Sequence, residues 1–144
     1  MSLRARALRL LARREYSRQQ LAQRLGELAP DQAALDQLLD ELQSHGWLSE
    51  QRVAEQVLRA AAGRFGSLRV AQQLIARGVS TETAEQALAG LRADELGNAR
   101  AALRKRFARS PADPAEYARQ ARFLAQRGFD EDVIEQALGR SREQ

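Results

Sequence analysis

The sequence predicts an all-α protein built from three tandem three-helix repeats, each resembling a helix-turn-helix unit. Leu and Ala recur at helical spacing along the chain, which contains only three Pro. A short phrase with a Leu four residues before a Gly occurs three times, at Leu42–Gly46, Leu74–Gly78 and Leu124–Gly128. Each copy precedes a helical run that closes on Glu-Gln-Val-Leu or Glu-Gln-Ala-Leu. Such repeats are typical of stacked units that present an extended surface to a large partner.

The glycine of each phrase has a conformational role. A helix that ends on a residue of positive φ satisfies its last carbonyls at least cost when that residue is Gly. The hydrophobe that follows then folds back on the last turn. We therefore expect Trp47, Val79 and Phe129 to be packing anchors at the corners between helices, rather than groups that stack on a ligand.

The first repeat spans residues 1–48. Its first helix covers residues 3–14, where Leu and Ala lie on one face and Arg on a flank. A Ser-x-x-Gln capping box at Ser17 starts the second helix, which extends through Leu28. Asp31 caps the third helix, and the repeat Gly ends it.

The second repeat spans residues 49–93. Its helices begin at Ser49, at Ser67 and after Ser80, and a Gly-containing break at residues 63–66 separates the first from the second.

The third repeat spans residues 94–144. A long helix over residues 94–109 opens it. The segment 113–116, Asp-Pro-Ala-Glu, then supplies an N-cap, a Pro at the first helical position and a Glu three residues after the cap. This is the strongest helix-start signal in the chain. Asp130 caps the last helix.

Charge alternates along the chain. Residues 1–25 carry seven Arg and one Glu, whereas residues 26–50 carry six acidic residues and no Arg or Lys. The same change recurs from residues 51–80, with five Arg and one Glu, to residues 81–98, with four acidic residues and one Arg. Each repeat opens basic and ends acidic, so the net charge of +4 is the remainder of larger opposing segments.

The composition excludes several functional classes. The chain has no Cys and a single His, so disulfides, thiol chemistry and a structural zinc site are not expected. No catalytic constellation is recognisable around His45, and we expect neither enzymatic activity nor a cofactor. No apolar run in the sequence is long enough to cross a bilayer. We therefore expect a monomeric, cytoplasmic protein with no membrane partner.

Two alternative functions stay open on these residues: a basic DNA-binding protein of helix-turn-helix type, and a helical-repeat scaffold for another protein. The segment from Leu74 to Leu88 has the layout of a helix-turn-helix. A recognition helix must enter a groove lined by phosphates, yet residues 81–91 contain two Glu and no Arg or Lys. DNA-reading motifs also usually carry a small residue where Leu74 stands. These features disfavour operator binding.

Basic residues outside the acidic helices are the candidate contacts with a protein or nucleic-acid partner. Any single one of them is best explained as a solvated residue paired with the protein's own acids. As a set they predict a distributed basic surface. They are Arg64, Arg69, Arg77, Arg100, Arg104, Lys105, Arg119 and Arg122.

Several segments together resemble the RecX family of bacterial regulatory proteins. They are residues 10–17 with Leu21 and Leu25, residues 38–49 with Ala54, Gly66 with Arg69, Val70 and residues 74–79, and residues 122–130 with Val133 and Ile134. Their order matches the family essentially from end to end. Gln20 and Gln73 stand where Glu is common, Glu50 where Asp is common and Val53 where an aromatic residue is common, and none of these changes removes a motif.

This resemblance implies a curved, elongated array of three three-helix units that binds along the groove of the RecA recombinase filament on single-stranded DNA. Most members of the family repress the ATPase and strand-exchange activities of RecA and its stimulation of LexA self-cleavage, and so modulate homologous recombination, DNA repair and the SOS response. The candidate basic residues would then face the RecA filament. Weak, non-specific binding of single- or double-stranded DNA would be secondary.

Overall fold

A computed structural model describes residues 1–139, and within this range the protein is all-α, as predicted. The end of the predicted third repeat, residues 140–144, lies outside the described residues. The described part contains nine α-helices: α1 (Leu3–Arg13), α2 (Arg18–Leu25), α3 (Gln32–Ser44), α4 (Glu50–Ala61), α5 (Ser67–Ala76), α6 (Thr81–Arg92), α7 (Glu95–Arg106), α8 (Pro114–Gln126) and α9 (Glu131–Leu138).

Most of the polar residues that the sequence predicts as N-caps do cap their helices. Ser17 and Gln20 form the capping box of α2, in which each side chain accepts a hydrogen bond from the backbone N–H of the other. Asp113 accepts one from the Glu116 N–H at 2.8 Å, and Pro114 follows it as the first residue of α8. Asp130 caps α9 in the same way.

Two helices end earlier than the sequence predicts. The predicted second helix is α-helical only to Leu25 and continues as a short 3-10 helix, Gly26–Leu28. The predicted seventh helix stops at Arg106, where Phe107 takes an extended conformation with φ −126° and ψ 136°. Phe107 packs edge-on against Phe123 of α8, with ring centroids 5.4 Å apart. The local sequence pattern does not predict this contact, because the two rings come from separate elements.

The chain divides into two compact units, and the first consists of Met1–Gln56 and Leu74–Ala84. Its core lies between α1, α2 and α3. It consists of Ala7, Tyr16, Leu21, Leu25, Leu35, Leu38, Leu39, Leu42 and Leu48.

Trp47 does not anchor this core, contrary to the prediction. Its backbone N–H bonds to the Leu42 carbonyl at 3.0 Å, as expected after Gly46, but the side chain is 41% exposed. The indole stacks on His45, with ring centroids 4.4 Å apart. Leu48 is buried instead. Its N–H bonds to the same carbonyl, but its side chain packs in the core.

The first unit contains a junction between the start of α2 and the starts of α4 and α6. Glu50 accepts hydrogen bonds from the backbone N–H groups of Arg18, at 3.3 Å, and Ser80, at 2.8 Å. Gly78 lies against the N-cap of α2, so that a Cβ atom there would stand 2.9 Å from the Ser17 Oγ. We call this the first junction.

The second unit consists of Val57–Gln73 and the chain from Glu85 onward. One core cluster of this unit lies between α7, α8 and α9. Its buried members are Ala99, Ala102, Leu124, Phe129 and Ile134.

The second unit contains a junction with the same layout, formed by the start of α5, the start of α7 and the end of α8. The Glu95 carboxylate is 3% exposed and accepts hydrogen bonds from the backbone N–H and the hydroxyl of Ser67. The Gly66 N–H donates to the Arg127 carbonyl at 2.9 Å, and the Leu68 N–H to the Gly128 carbonyl at 3.0 Å. We call this the second junction. A buried carboxylate at a helix N-terminus is stabilised by the unpaired N–H groups there.

Candidate functional site

The structure leaves most of the candidate basic residues on the surface. Seven are exposed: Arg64, Arg69, Arg100, Arg104, Lys105, Arg119 and Arg122. The eighth, Arg77, is half-buried. Its Nη2 donates to the Glu15 carbonyl at 3.4 Å, and its Nε is buried without a hydrogen-bond partner among the described residues. Arg77 therefore belongs to the first junction, whereas the other seven are available to a partner.

The ion pairs of the described residues all lie in the amino-terminal part of the first unit. Arg4 pairs with Glu41, Arg18 with Asp40 at 2.7 Å, and Arg52 with Glu15 at 2.7 Å. Most of these partners lie on the acidic helix α3. Intramolecular neutralisation thus accounts for part of the basic charge of the first unit. The seven exposed candidates belong to the second unit and form no ion pair within residues 1–139.

Three guanidinium groups of the second unit converge on one aromatic ring. The Cζ atoms of Arg69, Arg64 and Arg127 lie 4.0, 5.1 and 5.2 Å from the centroid of the Phe65 ring. Phe65 is half-buried in the loop between α4 and α5, next to the second junction. The ring faces attract cations electrostatically, so Phe65 gathers the three charges. We call these four residues the Phe65 cluster.

The Phe65 cluster continues into a row of aromatic rings along α8 and α7. Arg127 also lies over Phe123, with its Cζ 5.0 Å from the ring centroid. Phe123 packs against Phe107, and the Arg106 guanidinium lies 5.1 Å from the Phe107 centroid. Arginine and aromatic side chains therefore alternate across this face of the second unit.

A groove of about 260 Å³ lies next to Phe107. Arg100, Arg104 and Arg109 supply its basic lining, and Leu103, Phe107, Pro111 and Leu138 supply most of its apolar lining. The buried Gln120 donates from Nε2 to the Arg109 carbonyl at 3.0 Å, which fixes the loop after α7 at the groove. The i, i+4 spacing thus brings Arg100 and Arg104 to one site, while Lys105, Arg119 and Arg122 do not line it.

Sequence reasoning missed Arg127, Phe65 and Phe123. A signal for Arg127 was present, because Arg77 and Arg127 both precede the Gly of a repeat. The residue before each of these glycines lies at a junction. At Arg127 the backbone carbonyl accepts a hydrogen bond from the Gly66 N–H, and the side chain reaches Phe65. Phe65 itself carried no periodic signal, because it lies in a loop.

The helices that follow the repeat glycines are acidic on their exposed faces. Glu82 and Glu85 of α6 are exposed, as are Glu131, Asp132 and Glu135 of α9. A negative helix surface is repelled by the phosphates of a DNA groove. These helices are therefore unsuited to reading an operator.

The described residues contain no group of three or more metal-ligating side chains. None of the helices in residues 1–139 combines the length and the apolar character that crossing a membrane requires.

Comparison with known proteins shows the family. Models of the first, second and third three-helix domains of RecX match residues 4–42, 49–88 and 93–138. A protein of Chromobacterium violaceum named regulatory protein RecX is 50% identical over 95% of this chain and 89% of its own length. One of the same name from Leptothrix cholodnii is 46% identical over 96% of this chain and 88% of its own length.

The fold is also similar to that of solved structures. The crystal structure of RecX from Lactobacillus salivarius superimposes with a TM-score of 0.76, at 18% identity, over 94% of this chain and 91% of that one. The curated relatives are named as regulatory proteins, not as enzymes. With three family domains matched in order and close relatives over nearly the whole length, this chain belongs to the RecX family of regulatory proteins.

Proposed function

We propose that the protein binds the RecA filament on single-stranded DNA and inhibits its ATPase, strand exchange and stimulation of LexA self-cleavage. In this role it modulates homologous recombination, DNA repair and the SOS response, and acts in the cytoplasm. DNA alone is a weak and non-specific ligand. The partner-facing residues are the seven exposed candidates of the second unit.

Two points support the proposal. The chain belongs to a family of regulatory proteins, and its resemblance to that family implies RecA as the partner. The second point is an observation on the molecule itself. That observation is the uncompensated basic charge of the second unit, where the exposed candidates form no ion pair within residues 1–139. Exposed charges of one sign steer a partner of opposite sign and fix its orientation. Several weak contacts along a polymer add through effective concentration.

The test is a titration of the purified protein into pre-formed RecA filaments on single-stranded DNA, with ATP hydrolysis as the readout. We expect inhibition at protein concentrations well below that of RecA, unchanged by excess free DNA. Raising the salt concentration should weaken it, because contacts between exposed charges are screened.

An inhibition that free DNA abolishes would contradict the proposal, because it would mean that the protein acts by sequestering DNA. Binding to one DNA sequence that survives competitor DNA would favour the helix-turn-helix alternative. The exposed acids of α6 and α9 argue against that result.

A further inference from the structure

The Phe65 cluster concentrates positive charge at one point of the surface. Three guanidinium groups lie within 4.0 to 5.2 Å of a single ring centroid, and none of the three arginines has an ion-pair partner within residues 1–139. The nearby Glu95 carboxylate forms no ion pair with them within residues 1–139; it is buried and accepts hydrogen bonds from Ser67. Like charges held this close repel one another, and a bound anion relieves the repulsion.

The backbone of the second junction fixes the positions of these arginines. Arg127 is held through its carbonyl by the Gly66 N–H, one residue from Phe65. Arg69 lies in the first turn of α5, where its backbone packs against Gly128. Two of the three side chains therefore start from anchored backbone, and all three guanidinium groups lie within cation–π distance of the Phe65 ring. Their N–H edges stay free to form bidentate hydrogen bonds.

The surroundings favour a carboxylate over a nucleic acid. Single-stranded DNA is held by aromatic faces on which bases stack and by charges spread along a track. Here guanidinium groups already cover the ring, and the charges converge on one point. Leu68, between the junction and Arg69, is 53% exposed. Arginine and aromatic side chains are enriched at protein–protein interfaces, and the exposed Leu68 adds apolar surface that a phosphate track does not need.

We propose that the Phe65 cluster, with Leu68, is a docking site for an acidic segment of a protein partner, in which carboxylates bind Arg64, Arg69 and Arg127 and an apolar side chain contacts Leu68. The inference rests on the proposed function only in taking the partner to be a protein. It assigns a binding role to Arg127 and Phe65, which are not among the candidate basic residues predicted from the sequence.

The test uses fluorescence anisotropy with three labelled probes: an oligo-glutamate peptide interspersed with leucine, the same peptide with Gln in place of Glu, and an oligothymidylate of equal charge. The variant is Arg64→Gln with Arg127→Gln. Its matched control is Arg59→Gln with Arg92→Gln, which removes the same charge from exposed arginines of the same unit that form no ion pair within the described range. Circular dichroism verifies that both variants keep the helical content of the parent chain.

We expect the acidic peptide to bind saturably and the Gln peptide not to bind. The Arg64→Gln, Arg127→Gln variant should bind the acidic peptide with an affinity about tenfold lower, which corresponds to about 1.4 kcal/mol of binding free energy. The matched control should lower the affinity for the acidic peptide less than about twofold, because exposed and screened charges contribute little to binding. Phe65→Leu keeps every charge and should still weaken binding about threefold, since the ring that positions the guanidinium groups is lost.

Three results would overturn the inference: no binding of the acidic peptide, equal weakening by the two double variants, or tighter and variant-sensitive binding of the oligothymidylate. The filament assay is separate from this one. A protein that inhibits filaments but ignores the acidic peptide would refute this inference alone. One that binds the peptide through the cluster but leaves filaments active would refute the proposed function alone.

Discussion

At the scale of single residues, Gly128 joins backbone conformation to packing. Its φ of +90° lies in the left-handed region. A Cβ atom there would stand 2.6 Å from the Arg69 nitrogen, so the glycine is required both by its conformation and by the close approach of α5. Gly46 has a similar φ of +74°, but no atom lies within 4 Å of the position of its Cβ.

Gly128→Ala should therefore destabilise the protein much more than Gly46→Ala. We expect a loss of about 3 kcal/mol or more for Gly128→Ala, from conformational strain together with overpacking. For Gly46→Ala we expect about 1 kcal/mol, from strain alone. Urea unfolding followed by circular dichroism measures both. Equal losses would show that the contact at the second junction adds nothing to the conformational cost.

Tyr16 is a second residue whose surroundings change its chemistry. The Arg14 guanidinium, whose Cζ lies 4.0 Å from the ring centroid, is the largest cause that lowers the pKa of the Tyr16 hydroxyl below 10.0, and burial opposes it. Arg24, at 3.5 Å from the hydroxyl, lowers the pKa further. A cation beside a phenol favours the phenolate.

An alkaline titration followed by phenolate absorbance should show one tyrosine that ionises below pH 10.0, and Tyr16→Phe should remove that step. Because the folded state releases this proton first, its contribution to stability grows as the pH rises through the folded pKa and is fully present above the unfolded value. It is absent at neutral pH, where both states are protonated. Persistence of the step in Tyr16→Phe would contradict its assignment to Tyr16.

At the scale of elements, the two junctions repeat one arrangement. A Ser stands at the start of the second helix of one repeat, a Glu from the first helix of the next repeat binds the start of that helix, and the next repeat's Gly packs against it. The first junction uses Ser17, Glu50 and Gly78, and the second uses Ser67, Glu95 and Gly128. The helix N-terminus supplies the N–H groups that each carboxylate needs. Neighbouring repeats are thus joined by polar contacts at matching positions.

Glu95→Ala should reveal how much one such contact contributes. Removing the carboxylate leaves the buried Ser67 N–H without its partner, which costs about 1–3 kcal/mol in addition to the lost charge-assisted bond. Glu85→Ala, on the exposed face of α6, is the control and should change the free energy of unfolding by less than about 0.5 kcal/mol. Similar losses for the two variants would contradict a stabilising role of the junction.

At the scale of the whole molecule, paired and unpaired charge are distributed unequally along the chain. Acids of α3 pair with two arginines of the first unit, Arg4 and Arg18, whereas the exposed candidates of the second unit form no ion pair within residues 1–139. The composition alone gives only a net charge of +4 and does not show which charges are paired. Under the proposed function, we therefore expect the partner to contact the second unit.

Reversal of two charges at the groove tests this assignment. Arg100→Glu with Arg104→Glu should weaken inhibition of RecA filaments about tenfold or more, because two exposed contacts become repulsive. Arg9→Glu with Arg13→Glu on α1 is matched in exposure and in i, i+4 spacing, and should leave inhibition within about twofold. The readout is ATP hydrolysis, with helical content measured for both variants. Equal effects would mean that total charge, rather than the groove, controls inhibition.

The sequence by itself determined the helices, their caps and the repeat of Leu and Gly, because these depend on hydrogen bonds and φ values within a few residues of each other. It also predicted basic candidates of which most are exposed, since charged side chains seldom leave water. Tertiary structure alone decided that Trp47 is exposed while Leu48 is buried, that α7 ends at Arg106, and that Arg127 reaches Phe65. Each of these depends on a contact between residues or elements that local periodicity does not encode. The Phe65 cluster required three arginines, from a loop, from the start of α5 and from the residue after α8, to meet at one ring, and only the packing of the second junction brings them there.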